Sequence, residues 1–326
     1  MADTDSSKYV LFELKYISPD VDLPSDLYLK INEKFIKYRH RGDFLDADKY
    51  NLFLSKNLKG IYVSVEDKNE FQAWIDALKK QNVDELTEKV GEEYRDLAEK
   101  REDIKEAVFE VFADQTLNQE IVEKLQDQVS TFLEGIVKKE VPADVLAKLT
   151  KINRSIADHS TNVANFAVFL GMALGHAHQY IIENIYLGAI FHDYGKAKIP
   201  EHILANTSSP MYADAIKFHP LKAGEIIKDM KVLSDHVLTI VQQHHEQYDG
   251  NGYPNQLAGE DIDNLAQVVS LANVFENILE ENKELSSKDQ YAKAIKVLEE
   301  DGGKLFDPAI VPRAVDALKL AFIETK

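Results

Sequence analysis

The chain has 326 residues, 44% apolar and 29% charged, which is enough for a sizeable core and, at roughly 100–200 residues per domain, for two or three domains. Lys and Arg number 38 against 56 Asp and Glu, and the net charge of −18 argues against general nucleic-acid binding or an anionic membrane surface. There is no Cys, so disulfides, thiolate catalysis and Cys-ligated zinc or iron–sulfur clusters are excluded. The 10 histidines are unevenly placed: only His40 lies in the first 158 residues, and the other nine fall between His159 and His245. The polar N-terminus, Met1 to Lys8, carries no signal pattern. The longest apolar run, near Asn165 to Gly175, is too short to span a bilayer, so a cytoplasmic protein with no membrane partner is expected.

Three stretches follow in chain order. Residues 1–81 predict a small α+β module. Tyr9 to Leu14, Asp26 to Ile31 and Phe35 to Tyr38 have strand character, with a hairpin turn at Asn32-Glu33-Lys34. A helix from Asp46 to Lys56 is expected to end near Asn57 and Gly60, before a strand at Ile61 to Val65. Phe71, Trp74, Ile75 and Leu78 then recur at helical spacing. The basic run Lys37 to Arg41 is short and lacks an aromatic platform, so it is read as a solvated strand end rather than a phosphate site.

Residues 82–141 predict charged helices, a connector or outer layer, with one apolar stripe of Ile121, Leu125, Val129, Phe132, Leu133 and Ile136. Helices packed on the next domain, a signalling helix and a homodimerisation helix all fit this pattern, the first best. Residues 142–326 predict a helical domain interrupted by a Gly/Pro loop at Asp249 to Pro254, with a terminal helix starting at Asp307-Pro308.

The histidines fall on the helices' core faces. His159 is in step with Val163, Phe166 and Leu170; His192-Asp193 closes a helix carrying Ile182, Ile185 and Ala189, with Gly195 as its terminator. His219-Pro220 is placed at a helix start, and His244 and His245 follow Val237, Ile240 and Val241. A fourth helix carries Val269 and, four residues on, Asn273. His176, His178, His202 and His236 are read as ordinary core or surface residues. Burying the other five rings without partners would cost several kcal/mol, and a metal is one common partner. Nitrogen and carboxylate ligands without sulfur suit Fe, Mn, Zn, Co or Ni.

Taken in order, His159-Ser160, His192-Asp193-Tyr194-Gly195-Lys196 with Pro200, His219-Pro220 with Gly224, His244-His245-Glu246 and Asp249-Gly250-Asn251-Gly252-Tyr253-Pro254 resemble the HD-GYP domain, a branch of the HD metal-dependent phosphohydrolases. The likeness covers nearly all of the third stretch. It implies a mainly α, HD-type helical bundle with a small N-terminal α+β module. It further implies a bacterial phosphodiesterase that hydrolyses cyclic di-GMP, or a related cyclic dinucleotide, through a metal-activated hydroxide. Two divalent transition metals are expected, Fe or Mn first, with Zn, Co or Ni as alternatives. Carried over by position, Asp193 would bridge them. His219, His244 and His245 would complete one metal, and His159, His192 and position 273 the other. Lys196, with Asp193, would be catalytic, near the substrate phosphate or the hydroxide. Gly250, Gly252, Tyr253 and Pro254 would flank substrate and offer a surface to a protein partner.

Three departures from the family pattern stand out. Asn273 replaces an Asp, which weakens the His159/His192 side. No Arg lies between Asn277 and Leu285, and Glu276, Glu280 and Glu281 put acid where a phosphate grip is expected. Ser155 stands where a third-metal Glu or a Tyr is usual, so no third metal is expected. A working phosphodiesterase, possible impairment included, is therefore weighed against a catalytically degenerate relative acting as a metal- or nucleotide-binding sensor.

Overall fold

The structure, a computed structural model, describes residues 4–56, 58, 60–113, 117–151 and 155–324. It is mainly helical. Four short strands, β1 (Tyr9–Glu13), β2 (Leu27–Ile31), β3 (Lys34–Arg39) and β4 (Gly60–Ser64), form an antiparallel sheet in the order β1-β4-β2-β3. The β2–β3 hairpin closes through Asn32 and Glu33, both at positive φ (48° and 62°), the turn geometry that matches strand twist. Helix α1 (Ala47–Ser55) precedes β4. Gly60 is the first residue of β4 rather than a helix terminator, because a Cβ there would lie 2.2 Å from the Phe12 carbonyl of the paired strand. Asn57 lies outside the described residues. The basic run is neutralised locally: Arg41 forks onto Glu70 at 2.7 Å per bond, and Lys37 pairs with Asp26.

The remaining chain is helical. In order come α2 (Lys68–Val90), α3 (Arg95–Ala113), α4 (Gln119–Lys138), α5 (Ala143–Lys148), α6 (Ile156–Ala173), α7 (Gln179–Phe191), the one-turn α8 (Glu201–Leu204), α9 (Pro210–Ile227), α10 (Asp235–Gln243), α11 (Asn264–Glu281), α12 (Ser287–Glu299) and α13 (Val311–Phe322). Helix α2 runs unbroken past Gln81. The apolar residues of α6 and α7 are almost all buried, so these two helices form the centre, with α11 and α10 against them and α3 and α4 behind. Leu125, Val129, Phe132, Leu133 and Ile136 of α4 are all buried, and Phe132 meets Tyr186 of α7 edge-on at 5.9 Å. The stripe of α4 is thus spent on α3 and α7.

The α+β end joins the bundle through α3. Tyr50 of α1 packs on Phe109, Lys15 pairs with Glu110 at 2.8 Å, and Phe112 meets Tyr194 at 5.4 Å. Two expected helix boundaries move. Pro220 sits inside α9, one residue after His219, rather than at a start. Asp307 caps a turn through Ala309 N (2.8 Å), and α13 begins only at Val311. No helix among the described residues is long and apolar enough to cross a membrane.

Truncating Phe132 to Ala should cost about 3–5 kcal/mol, because a wholly buried ring leaves a cavity between α4 and α7. Urea denaturation checks this; a midpoint within error of wild type would show that α4 is not packed into the bundle.

Candidate metal centre

Five histidines and one aspartate converge at one end of α6, α7, α9 and α10. Asp193, His219, His244 and His245 offer ligand atoms within 4.8 Å of one another, and so do His159, His192 and Asp193. The two groups share Asp193, and its carboxylate divides them. Oδ1 lies 3.1 Å from His219 Nε2 and 3.8 Å from His244 Nε2. Oδ2 lies 3.5 Å from His192 Nε2, 3.7 Å from His159 Nε2 and 2.8 Å from Lys196 Nζ.

The backbone decides which nitrogen each ring presents. His192 follows the last residue of α7 and His244 the last of α10, where helix carbonyls lack partners. His192 Nδ1 donates to Ala189 O at 2.5 Å, and His244 Nδ1 donates to Val241 O at 2.8 Å. His219 is in mid-helix, but the nitrogen of Pro220 cannot donate to Ile216 O. That carbonyl accepts from His219 Nδ1 instead, at 2.6 Å. His159 Nδ1 donates to Glu276 Oε2 at 2.7 Å. With the proton on Nδ1, four Nε2 lone pairs face inward.

Those lone pairs are unmatched without a cation. His159 and His192 bring Nε2 atoms to 3.3 Å, and so do His219 and His244. Two ligands about 2.1 Å from a common cation lie about 3.4 Å apart at the tetrahedral angle. Asp193 Oδ1 and His245 Nε2 are buried with no hydrogen-bond partner. Orphaned buried acceptors, paired ring nitrogens and a shared carboxylate fit divalent cations.

Electrostatics agree. Burial pushes His192 well below the usual histidine range, His244 down to about 4, and His245 lower still, so these rings are neutral at neutral pH and free to ligate. Burial works against ionised Asp193, yet the Lys196 ammonium beside it holds its carboxyl well below the usual range. His159 differs: burial opposes its charge, but the Glu276 carboxylate overrides this and raises it. A carboxylate behind a ligating imidazole makes its other nitrogen more basic.

Two glycines permit the close packing. A Cβ on Gly195 would lie 2.1 Å from His219 O, so this residue serves the approach of α9 to the His192-Asp193 turn rather than ending α7. A Cβ on Gly252 would lie 2.3 Å from Gln247 N. The 249–254 loop is irregular, as expected, with Gly250 at φ 78°. Buried Glu246 pins its exit by accepting from Asn255 N (2.7 Å) and Leu257 N (2.9 Å), while Tyr253 stacks on His245 at 4.6 Å.

Asn273 is buried on α11, and its Oδ1 accepts from Asn277 Nδ2 at 2.9 Å. Glu276 corrects an expectation. It is 1% exposed and bonded to His159 and Asn162, so it is a partner of the site, not acid facing substrate. Its spacing from Asn273, three residues along one helix face, was the available signal. Ser155 caps α6, and His178 caps α7. Lys196 also lines a cavity of about 560 Å³, together with Leu52, Phe112 and Ile156 and with Asp48, Lys49 and Asn51 of α1. Sequence reading gave α1 no part in the site.

Comparison with known proteins agrees with this geometry. The HD domain family profile matches residues 142–310. RpfG, a cyclic di-GMP phosphodiesterase response regulator of Xanthomonas campestris, is 36% identical over 141 residues, 41% of this chain and 35% of its own. The cyclic di-GMP phosphodiesterase PA4108 of Pseudomonas aeruginosa is 26% identical over 218 residues, 66% of this chain and 52% of its own. The chain thus spans between about a third and a half of these relatives' length. Among solved structures, Bd1817, an HDG"Y"P protein of Bdellovibrio bacteriovorus, shares the fold with a TM-score of 0.61 at 23% identity, over 95% of this chain and 99% of that one. The protein is mainly helical, with a buried His and Asp cluster that could hold metal ions. It belongs to the HD domain family, in its HD-GYP branch.

Replacing His244 by Ala should lower metal content, because only Asp193, His219 and His245 would remain of the four ligand groups gathered on the Oδ1 side. Elemental analysis of the purified variant is the check; undiminished metal content refutes the ligand assignment.

Proposed function

We propose that the protein is a phosphodiesterase that hydrolyses cyclic di-GMP at a pair of divalent cations, Fe or Mn. The observation carrying this is the division of Asp193 between two histidine groups, with Lys196 on one oxygen and a ligand-sized cavity beyond it. His219, His244 and His245 would hold one cation. His159 and His192, with Asn273, would hold the other. Bound there, the cations supply Lewis-acid chemistry, offsetting phosphate charge and acidifying water at neutral pH.

The chain's own residues do the rest. Asp193 keeps its negative charge, because the Lys196 ammonium 2.8 Å away holds it ionised. Lys196 Nζ bonds Asp193 Oδ2 yet its side chain is 32% exposed, so it can also meet an anionic group entering from the cavity. The apolar side chains of Leu52, Phe112 and Ile156 in its lining suit a nucleobase face, and Lys49 suits phosphate. Tyr253 stacks on His245 and fixes the plane of that ring. The net charge of −18 does not oppose this, since the anion would meet cations and two lysines locally.

The test is turnover of cyclic di-GMP by metal-free protein reloaded with Mn²⁺ or Fe²⁺, with products resolved by chromatography. Turnover is expected; a protein carrying both cations and giving no product with either metal refutes the activity and favours the sensor. Lys196→Met should lower kcat by about 10²–10³ while metal content stays unchanged. Asn273→Asp should tighten the weaker cation by adding a charge at that ligand position. Calorimetric titration with Mn²⁺ reads this, and equal affinity in both proteins would remove Asn273 from the ligand set.

A further inference from the structure

The His159 side of the centre is tied to a helix outside the matched family region. Arg101 of α3 is wholly buried. Its Nη1 lies 2.5 Å from Glu102 Oε1 and 2.9 Å from Asp158 Oδ1, and its Nη2 donates to Asn162 Oδ1 at 3.0 Å. Asp158 and Asn162 belong to α6 and flank His159, one residue before it and three after. Asn162 Nδ2 then donates to Glu276 Oε1 at 3.1 Å, and Glu276 Oε2 accepts from His159 Nδ1 at 2.7 Å. Guanidinium, amide, carboxylate and imidazole thus form one unbroken chain from α3, through α6 and α11, to a ring whose Nε2 faces Asp193.

Each link has one sense. Asn162 Oδ1 accepts from both Arg101 and Lys151 N (3.1 Å), which fixes its NH₂ as the donor to Lys151 O (2.9 Å) and to Glu276. Charges balance so that one is left over. Arg101 and Lys105 face Glu102 and Asp158, with Lys105 Nζ 2.8 Å from Glu102 and 3.8 Å from Asp158. Glu276 bonds a neutral amide and the imidazole, and among the described residues no cationic side chain pairs with it, so its charge is directed at His159. This is the side where Asn273 supplies no charge.

Stability alone does not explain Arg101. Burying a guanidinium is expensive, and its Nε–H has no acceptor among the described residues. What the fork provides is simultaneous purchase on two residues of α6, which a lysine cannot give.

We propose that Arg101 is a positioning residue for the His159/His192 cation site, acting through Asn162 and Glu276, so that this half of the centre is complete only while α3 is docked. The inference rests on the proposed two-cation site. It makes the N-terminal helices part of the metal centre and predicts unequal halves, since His192, His219 and His244 are oriented by backbone carbonyls of their own helices.

The test is calorimetric titration of the metal-free full chain with Mn²⁺, with no substrate present. Wild type should take up two equivalents. Asn162→Ala cuts the chain while leaving the Arg101, Glu102 and Asp158 charges paired. It should weaken one equivalent about 10–100-fold and leave the other unchanged. Arg101→Met should do the same where it folds. Leu97→Ala, which opens a cavity in buried α3 and removes no polar partner of these groups, should lower the melting temperature but keep both affinities. The proposal is overturned by folded Asn162→Ala with both wild-type affinities, or by Leu97→Ala weakening the same equivalent as much. Wild type binding fewer than two equivalents overturns the two-cation reading itself, a different result from intact binding that ignores Asn162.

Discussion

The metal centre depends on one repeated interaction: an imidazole Nδ1–H donated to an acceptor behind it. Each such bond places the ring proton on the outer nitrogen and turns Nε2 toward Asp193. Acceptors for three of them come from helices with a carbonyl to spare. Two are at the ends of α7 and α10, and the third is freed inside α9 by Pro220. Gly195 lets the backbone of α9 come close enough for His219 to reach the shared carboxylate. The bundle's packing, the helix lengths and the position of one proline all bear on where four lone pairs meet.

The two halves of the centre are built differently. On the Oδ1 side, His219 and His244 rest on backbone carbonyls within the same helix. Such bonds survive as long as the helix does. On the Oδ2 side, His159 rests on Glu276, which reaches it across helices and is itself held by Asn162. A ligand oriented through side chains from other helices follows their movement. The same carboxylate adds negative charge behind the ring, on the side where Asn273 contributes none. Outer carboxylates thus serve the centre without touching a cation.

Much of this was legible in the sequence. The helical stripes of α6, α7 and α11 follow from spacing alone, and so does the convergence of His159, His192 and His244 on core faces. The hairpin at Asn32 and the sheet strands are local signals. Where the expectation missed, a tertiary contact had taken over a residue with a plausible local role. Gly195 and Gly60 look like helix terminators but answer to a neighbouring backbone. Pro220 looks like a helix start, but α9 tolerates it because His219 satisfies the carbonyl it frees. Glu276 looks like exposed acid, since nothing in the one-dimensional pattern shows that His159 and Asn162 will surround it.

The sequence by itself determined the type of chemistry. No Cys, nine late histidines, one aspartate among them and a lysine three residues on restrict the centre to nitrogen and oxygen ligands. Periodicity also determined which helices carry them, because burial of apolar faces is a local, repeating constraint. Only the tertiary structure decided how Asp193 divides its oxygens, that Glu276 belongs behind His159, and that Arg101 and α1 belong to the site at all. The Arg101–Asn162 and His159–Glu276 bonds join residues 61 and 117 positions apart. Their energy depends on distance and desolvation in the folded state, and neither is encoded in the spacing of residues along one element.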